Sequence, residues 1–284
     1  MTDADVVIPT FNNGAELSCA VASALALSFV QRVIVIDDGS EPPASVEPDP
    51  RLTLFRTENM GPSAARNLGL DESRAPWVIF LDADDTLLDG IQSSVDLAER
   101  HGAALTLCGR VEVDEDGRES ERRASPEWAG RSLRSAEDIW RPLWIFGTPG
   151  AVVARRVIDA GIRFDPEIRI GEDRDFFVRT ARFGPVFIAD SLGVRYRKDA
   201  PDSLSSAAHL ARRARDHAVL ADRHVNAENH PHWQERTAWL ANQLARTGCD
   251  RETWRVLTES AARHGLSIPL KARLRRSLRL GGSR

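Results

Sequence analysis

The first hundred residues repeat one pattern: a short apolar run, a polar break, then a segment whose apolar positions recur at helical spacing. The runs at 5–9, 32–36, 51–56 and 77–81 predict strands, and their consecutive apolar positions fit strands covered on both faces. Segments 16–26, 61–70 and 90–101 predict helices, the second with Pro62 near its first turn. Strand–helix alternation of this kind predicts an α/β fold with a mostly parallel central sheet and helices on both faces. Every predicted strand ends in polar residues, which places Thr10, Asn12, Asp37, Asp38 and Asp82 to Asp85 on one edge. In open α/β sheets that edge is where ligands sit.

Beyond residue 103 the pattern changes. Segment 104–113 predicts another strand, followed by an exposed charged stretch from Asp114 to Glu127 with a turn at Asp116-Gly117. A helix is expected around 136–143, then the turn-rich Gly147-Thr148-Pro149-Gly150 and the apolar run 151–154. Segment 169–177 opens a helix rich in carboxylates, and 186–189 and 194–197 predict two short strands. After Ser203 the spacing is helical to the end, with Trp233, Trp239 and Trp254 on expected packing faces. The expected division is a catalytic domain over 1–206 and a helical C-terminal region over 207–284.

With 284 residues and 42% apolar content, the chain can bury a full core. No apolar stretch reaches the roughly 18–20 residues that span a bilayer. The acidic start Met-Thr-Asp-Ala-Asp predicts no signal peptide and a cytoplasmic location. Cys19, Cys108 and Cys249 have no CxxC spacing and read as reduced thiols. The net charge of −4 gives no case for nucleic acid as a partner. The histidines, including His217, His224, His230 and His232, lack the spacing of a helical metal site and read as packing or surface residues. Residues 265–284 carry Lys271, Arg273, Arg275, Arg276, Arg279 and Arg284, with leucines between them and no acid. A basic amphipathic helix of this type fits peripheral contact with an anionic membrane face, the alternative being a final helix packed through its leucines.

The candidate chemistry centres on Trp77 to Asp89, where the apolar run ends in Asp82, Asp84 and Asp85. Crowding carboxylates at a strand end costs repulsion and desolvation unless a cation is present. A hard divalent ion, Mg²⁺ or Mn²⁺, would answer that and bridge to a phosphate-bearing substrate. The alternative is an acidic loop capping the next helix through Asp84 or Asp85. The segment Asp82-Ala83-Asp84-Asp85-Thr86 resembles two motifs: the DxD element of nucleotide-sugar glycosyltransferases and the DxDxT nucleophile motif of haloacid-dehalogenase-type phosphatases.

The remaining motifs distinguish between them. Val6 to Asn13, Val35 to Ser40 (with Asp37-Asp38-Gly39-Ser40) and Gly61 to Asn67 join the acidic motif in order, and Gly171-Glu172-Asp173-Arg174-Asp175 follows. Together they resemble the inverting, GT-A-fold glycosyltransferases of family 2. The resemblance implies a nucleotide-diphosphate-sugar donor, with uridine the expected base, held by Pro9, Thr10, Asn12, Asp38, Arg66 and Asp82. In that reading Asp38 accepts from the uracil ring, Thr10 and Asn12 flank the nucleoside, and Arg66 lies near the donor pocket. Asp84 is the implied metal ligand for Mn²⁺ or Mg²⁺, with Asp82 supporting it or reaching the ribose. Asp173 is the implied general base, and Glu172 and Asp175 orient or support. Arg195, Arg197, Lys198 and the Ser203 segment are expected to close as a lid or touch the acceptor, a glycan, lipid-linked or small-molecule hydroxyl. Trp140, Trp144 and Phe146 are expected as an acceptor wall or as core. The phosphatase alternative lacks its balancing lysine, since no lysine occurs before Lys198. A third alternative is an inactive, glycosyltransferase-like binding module, although its carboxylates are all present.

Overall fold

The computed structural model describes residues 3–133, 146–198 and 209–281. The chain divides into two compact units, Met1–Glu167 with Glu172–Ala200, and Ile168–Gly171 with Pro201–Arg284. The boundary expected at 206, the helix expected around 136–143, and Ser203, Trp140 and Trp144 lie outside the described residues.

In the first unit the elements follow in the order β1 (Ala4–Thr10), α1 (Ala15–Leu25), β2 (Val30–Asp37), β3 (Leu52–Arg56), α2 (Pro62–Glu72) and β4 (Trp77–Phe80). Then come β5 (Thr86–Leu87), α3 (Ile91–His101), β6 (Leu105–Val113), β7 (Glu119–Arg122), β8 (Val152–Ala154), α4 (Arg155–Asp159), α5 (Glu172–Thr180) and β9 (Val186–Arg197). They form one sheet in the order β3-β2-β1-β4-β8-β6-β9-β5, with β7 paired to β6. β1, β2, β3, β4, β6 and β9 run one way, and β5, β7 and β8 run against them. The chain crosses from β1 to β2 in one direction and from β3 to β4 in the other. Right-handed crossovers therefore put α1 and α2 on opposite faces.

The apolar runs become strands because burial stabilises each aliphatic side chain by roughly 1.5–3 kcal/mol. Val6, Val7, Ile8, Val33, Ile34, Val35, Ile36, Val78, Ile79 and Phe80 are all fully buried. Helix α2 lies so close to β1 that a Cβ at Gly69 would sit 2.2 Å from Val7 Cγ1. That approach sets the depth at which Arg66, one turn earlier, enters the sheet edge. The expected turn at Asp116-Gly117 closes the β6–β7 hairpin, where Asp114 accepts from the Asp116 and Arg118 amides.

Two expectations are corrected. The two short strands predicted over 186–189 and 194–197 are one strand, β9. The polar pair Asp190-Ser191 reads as a break, yet the register on β6 slips on either side of Gly109 and absorbs the extra residues as a bulge. Trp239 is not on a packing face: it is 38% exposed, with the Arg236 guanidinium 4.3 Å from its ring centroid. Phe146 is a core residue.

The second unit contains α6 (Leu210–His224), α7 (His230–Thr247), α8 (Arg251–Arg263) and α9 (Leu270–Gly281). Helix α6 packs against α7 and α8, and α9 packs against α7. Trp233 is fully buried among these helices, with His217 beside it and bonded to Thr237 at 2.8 Å. Asp216 accepts from the backbone amides of Arg169 and Ile170, holding that short segment to α6. Asp250 caps α8 by accepting from the Thr253 amide at 2.6 Å.

Candidate active site

The C-terminal ends of β1, β2 and β4 meet on one edge, as the polar strand ends predict. Thr10 pairs with Asp37, and the Asp38 amide donates to the Thr10 carbonyl at 2.9 Å. Leu81 donates to the Val7 carbonyl at 3.1 Å, which brings Asp82 level with Pro9. Asn12 adopts a left-handed φ of 58°, a region that asparagine tolerates. Its amide donates to Ser40 Oγ and its Oδ1 accepts from the Glu41 amide, each at 2.9 Å, so the loops after β1 and β2 are tied together.

Asp37 and Asp38 are both buried and each is held by several donors. Asp37 accepts from the Ser40 amide at 2.8 Å, the Ala44 amide at 3.0 Å and the Arg56 guanidinium at 2.5 Å. Burial opposes its charge, but the hydrogen bonds from Ser40, Ala44 and Arg56 outweigh it and hold the carboxyl below the usual range. Asp38 accepts from the Met60 amide at 2.8 Å, the Gly61 amide at 2.7 Å and the Thr57 hydroxyl at 3.3 Å. Gly39 between these loops has φ 85°, and a Cβ there would lie 2.9 Å from the Asn59 amide nitrogen. These acids build the turn that leads into α2.

Arg66 enters the edge from α2 and is nearly fully buried. Its guanidinium donates to Asp82 Oδ1 at 2.8 Å and to Glu172 Oε1 at 3.0 Å. Burial works against its charge, but the carboxylates of Asp82 and Glu172 outweigh it and raise its pKa. The guanidinium also stands 5.5 Å from the ring centroid of Phe164. Phe164 stacks on Phe176 with centroids 4.1 Å apart, and Phe80 meets both edge-on at 5.2 and 5.9 Å. Asn67, the next residue, clasps Phe164 through both its amide atoms, at 2.8 and 2.9 Å. A strand, two helices and a loop are thereby locked around one guanidinium. In the sequence Asn67 stands out only as the last residue of the Gly61 to Asn67 motif, and nothing local singles out Phe164. The Arg66-Asn67 dyad followed much later by an aromatic is the only signal, and it carries no spacing rule.

The acids after β4 contrast with those after β2. Asp82 and Asp84 are half-buried, and Asp85 is almost fully buried. Burial and the charge of Asp82 raise the pKa of Asp84. Burial, then Asp82 and Asp84, push Asp85 well above the carboxylate range. Asp85 accepts from the Arg197 amide at 2.8 Å, but its second oxygen has no hydrogen-bond partner among the described residues. Burial and the Asp85 charge push the neighbouring Tyr196 phenol up to about 12, while Arg110 stands 4.5 Å from its ring centroid. The buried Thr10 hydroxyl on the same edge also lacks a partner among the described residues. A buried polar atom left open calls for a partner such as an ordered water, an ion or a ligand.

Asp173 lies in the first turn of α5, half-buried, with Oδ1 accepting from the Arg174 amide at 2.8 Å. Gly147 borders it: a Cβ there would lie 3.6 Å from Asp173 Oδ2. Burial and the Asp173 charge push Glu172 up to about 7, although Arg66 pulls it down. Asp175 is fully buried and held by Arg179 at 2.6 Å, which makes it a helix-anchoring residue. Arg197 extends to Glu16 at 2.7 Å, and Arg195 pairs with Glu119, so both are engaged on the surface of this unit.

The residues present fit a divalent ion. Among the described residues no three His, Cys, Asp or Glu side chains converge as a complete ligand set. Asp82 and Asp84 are two crowded hard-oxygen donors, and Mg²⁺-type ions are commonly held by one or two carboxylates together with substrate phosphates and water. By contrast, a groove of about 330 Å³ at the opposite sheet edge, lined by Arg74, Arg155 and Arg163, has its guanidiniums bonded to Asp71 and to backbone carbonyls of its own walls.

Comparison with known proteins agrees with this arrangement. Residues 5–162 match the family described as Glycosyl transferase family 2. The chain is 29% identical over 304 residues to the succinoglycan biosynthesis protein ExoO of Rhizobium meliloti, covering 96% of this chain and 86% of that one. It is 26% identical over 222 residues to a GalNAc(5)-diNAcBac-PP-undecaprenol beta-1,3-glucosyltransferase of Campylobacter jejuni, covering 70% of each. Its fold superimposes on S. aureus TarS residues 1–349 in complex with UDP-GlcNAc with a TM-score of 0.63 at 16% identity, over 95% of this chain and 82% of that one. A matched segment that runs from β1 through the acids after β4 and covers more than half of the chain shows that the chain belongs to glycosyl transferase family 2.

Proposed function

We propose that this glycosyltransferase moves one sugar from a uridine-diphosphate-sugar donor to a hydroxyl of a glycan or lipid-linked acceptor, with inversion at the anomeric carbon. The observation that carries the reading is the Arg66 bridge, which joins Asp82 of the acidic edge to Glu172, the residue before Asp173. It fixes a diphosphate-facing edge and a carboxylate-bearing helix start in one frame, which two-substrate chemistry requires.

In this reading the donor nucleoside lies over Pro9, Thr10 and Asn12, with the unpartnered Thr10 hydroxyl available to it. Asp38 keeps its backbone bonds and presents its remaining lone pairs to the base. Asp84, with Asp82, would hold Mn²⁺ or Mg²⁺, which neutralises charge on the diphosphate leaving group. Asp173 takes the proton from the acceptor hydroxyl as that oxygen attacks the anomeric carbon. The bond from that carbon to the phosphate oxygen breaks, and the nucleotide diphosphate leaves with the electron pair. Glu172, pushed up to about 7 beside Asp173 and held by Arg66, orients the base and limits the charge next to it. Arg197, already tied to the acidic loop through its amide, is the lid residue of this scheme.

Two comparisons support the substrate classes. TarS has been crystallised with UDP and with UDP-GlcNAc. The Campylobacter relative is named for an undecaprenyl-diphosphate-linked acceptor, and ExoO for succinoglycan biosynthesis. A cytoplasmic-side enzyme acting on a growing glycan fits both. Among the described residues no helix is long and apolar enough to cross a membrane.

The test is a donor screen that reads nucleotide diphosphate release with Mn²⁺, without acceptor and then with soluble and lipid-linked glycans. Release from a UDP-sugar that rises with acceptor, and falls about 10²–10⁴-fold in Asp173→Asn, is the expected result. Near-normal kcat in that variant would move the base to another carboxylate. No release from any donor would leave a binding module.

A further inference from the structure

The final helix turns Leu270 and Leu274 away from the face by which it packs. Leu266 and Ile268, which lead into α9, are buried in the helical unit, as are Ala272 at 0% and Arg276 at 7% exposure. Arg276 donates to the Cys249 carbonyl at 2.7 Å and faces the Trp254 ring, so it is part of the packing. Leu270 and Leu274 point the other way, 71% and 56% exposed. At about 100° per residue, the buried pair 272 and 276 lies across the helix axis from the pair 270 and 274. An isolated surface leucine is ordinary, but two stacked one turn apart, directly opposite the packing face, make an apolar edge that this unit does not cover.

The charges around that edge are all of one sign. Lys271 and Arg273 are exposed on either side of it and Arg275 is half-buried, and none of the three is ion-paired among the described residues. From Gly265 to the end of the sequence there is no acidic residue at all. A protein partner would need an apolar groove rimmed by acids. An anionic bilayer offers both features at once, since leucines enter the acyl boundary while the flanking cations meet lipid phosphates.

We infer that α9 is a membrane-surface docking helix that seats Leu270 and Leu274 in an anionic lipid interface with Lys271, Arg273 and Arg275 at the headgroups. This rests on the second unit alone and is independent of the catalytic reading. The experiment is co-sedimentation of the full chain with vesicles of phosphatidylglycerol and phosphatidylcholine, set against vesicles of phosphatidylcholine only. Wild type is expected to bind the anionic vesicles and to release them as salt rises. Leu270→Ser with Leu274→Ser is expected to lower the partition on the order of ten-fold or more. Lys271→Gln with Arg273→Gln is expected to lower it by roughly five-fold for each cation removed. All four positions are solvent-exposed, and unchanged melting temperatures would confirm that the variants fold. Absence of wild-type binding to anionic vesicles would overturn the inference, and so would equal binding by the leucine variant. Concentration-dependent dimerisation that the leucine variant abolishes would overturn it too, by giving the edge to a second copy.

Discussion

Two clusters of aspartates stand at the same sheet edge, one after β2 and one after β4, and they do opposite things. Asp37 and Asp38 accept from backbone amides, a hydroxyl and a guanidinium, and Asp37 is held ionised below the usual range. Asp84 and Asp85 are raised, and among the described residues Asp85 has an oxygen with no partner and only Asp82 is ion-paired with a guanidinium. A carboxylate such as Asp37, surrounded by donors, is a structural strut, because its charge is already neutralised in the native state. In the proposed reading, carboxylates crowded against each other with few donors are where a cation and the donor phosphates would sit. Residue type and strand position are the same in both places; the supply of hydrogen-bond donors separates them.

That contrast can be broken in several ways. The largest effect is expected from Asp84→Ala, which should lower turnover with Mn²⁺ by about 10²–10³-fold or more while leaving the melting temperature unchanged or raised. Comparison of initial rates and thermal melts on one preparation checks both halves. Asp37→Ala should do the reverse. It orphans the Ser40 and Ala44 amides and releases Arg56, so stability should fall by about 1–3 kcal/mol, read by urea denaturation, while turnover per folded molecule changes little. The Arg56 side chain is 44% exposed, so its ion pair adds little to that loss.

The smallest effect concerns pH. Glu172 has a folded pKa of about 7 against an ordinary value of 4.5, so in that window the native state holds a proton that the unfolded chain has released. Its stabilising contribution is full below about pH 4.5 and is lost as pH rises through about 7. Thermal melts across that range should decline for wild type and run flatter for Glu172→Gln. Parallel curves would mean that Glu172 ionises as freely in the fold as outside it.

Much of the sheet was legible because a run such as Val33 to Ile36 has only one way to be buried, and a polar strand end must then face out. The placement of Thr10, Asp38 and Asp82 on one edge followed from that alone, whereas the strand order that sets Thr10 between the other two did not. The division of labour among the acids was not legible. The donors that saturate Asp37 come from Ala44 and Arg56, on a loop and a strand whose paths the local pattern does not specify. The anchor of Arg66 was hidden for the same reason: Asn67 reaches Phe164 across 97 positions, and the aromatic stack below it assembles from three separate elements. Bulged β9 failed for a different reason, since a polar pair inside a strand and a true strand break look alike until the partner strand shows where the register slips.

The most direct test of the central claim is calorimetric titration of UDP into Asp84→Asn and Asp37→Asn, with and without Mn²⁺, well below their melting temperatures. The account predicts that Asp84→Asn loses the Mn²⁺-dependent part of the affinity, on the order of ten-fold or more, while Asp37→Asn keeps it despite a lower melting temperature. Mn²⁺-dependent binding retained by Asp84→Asn and lost by Asp37→Asn would contradict it.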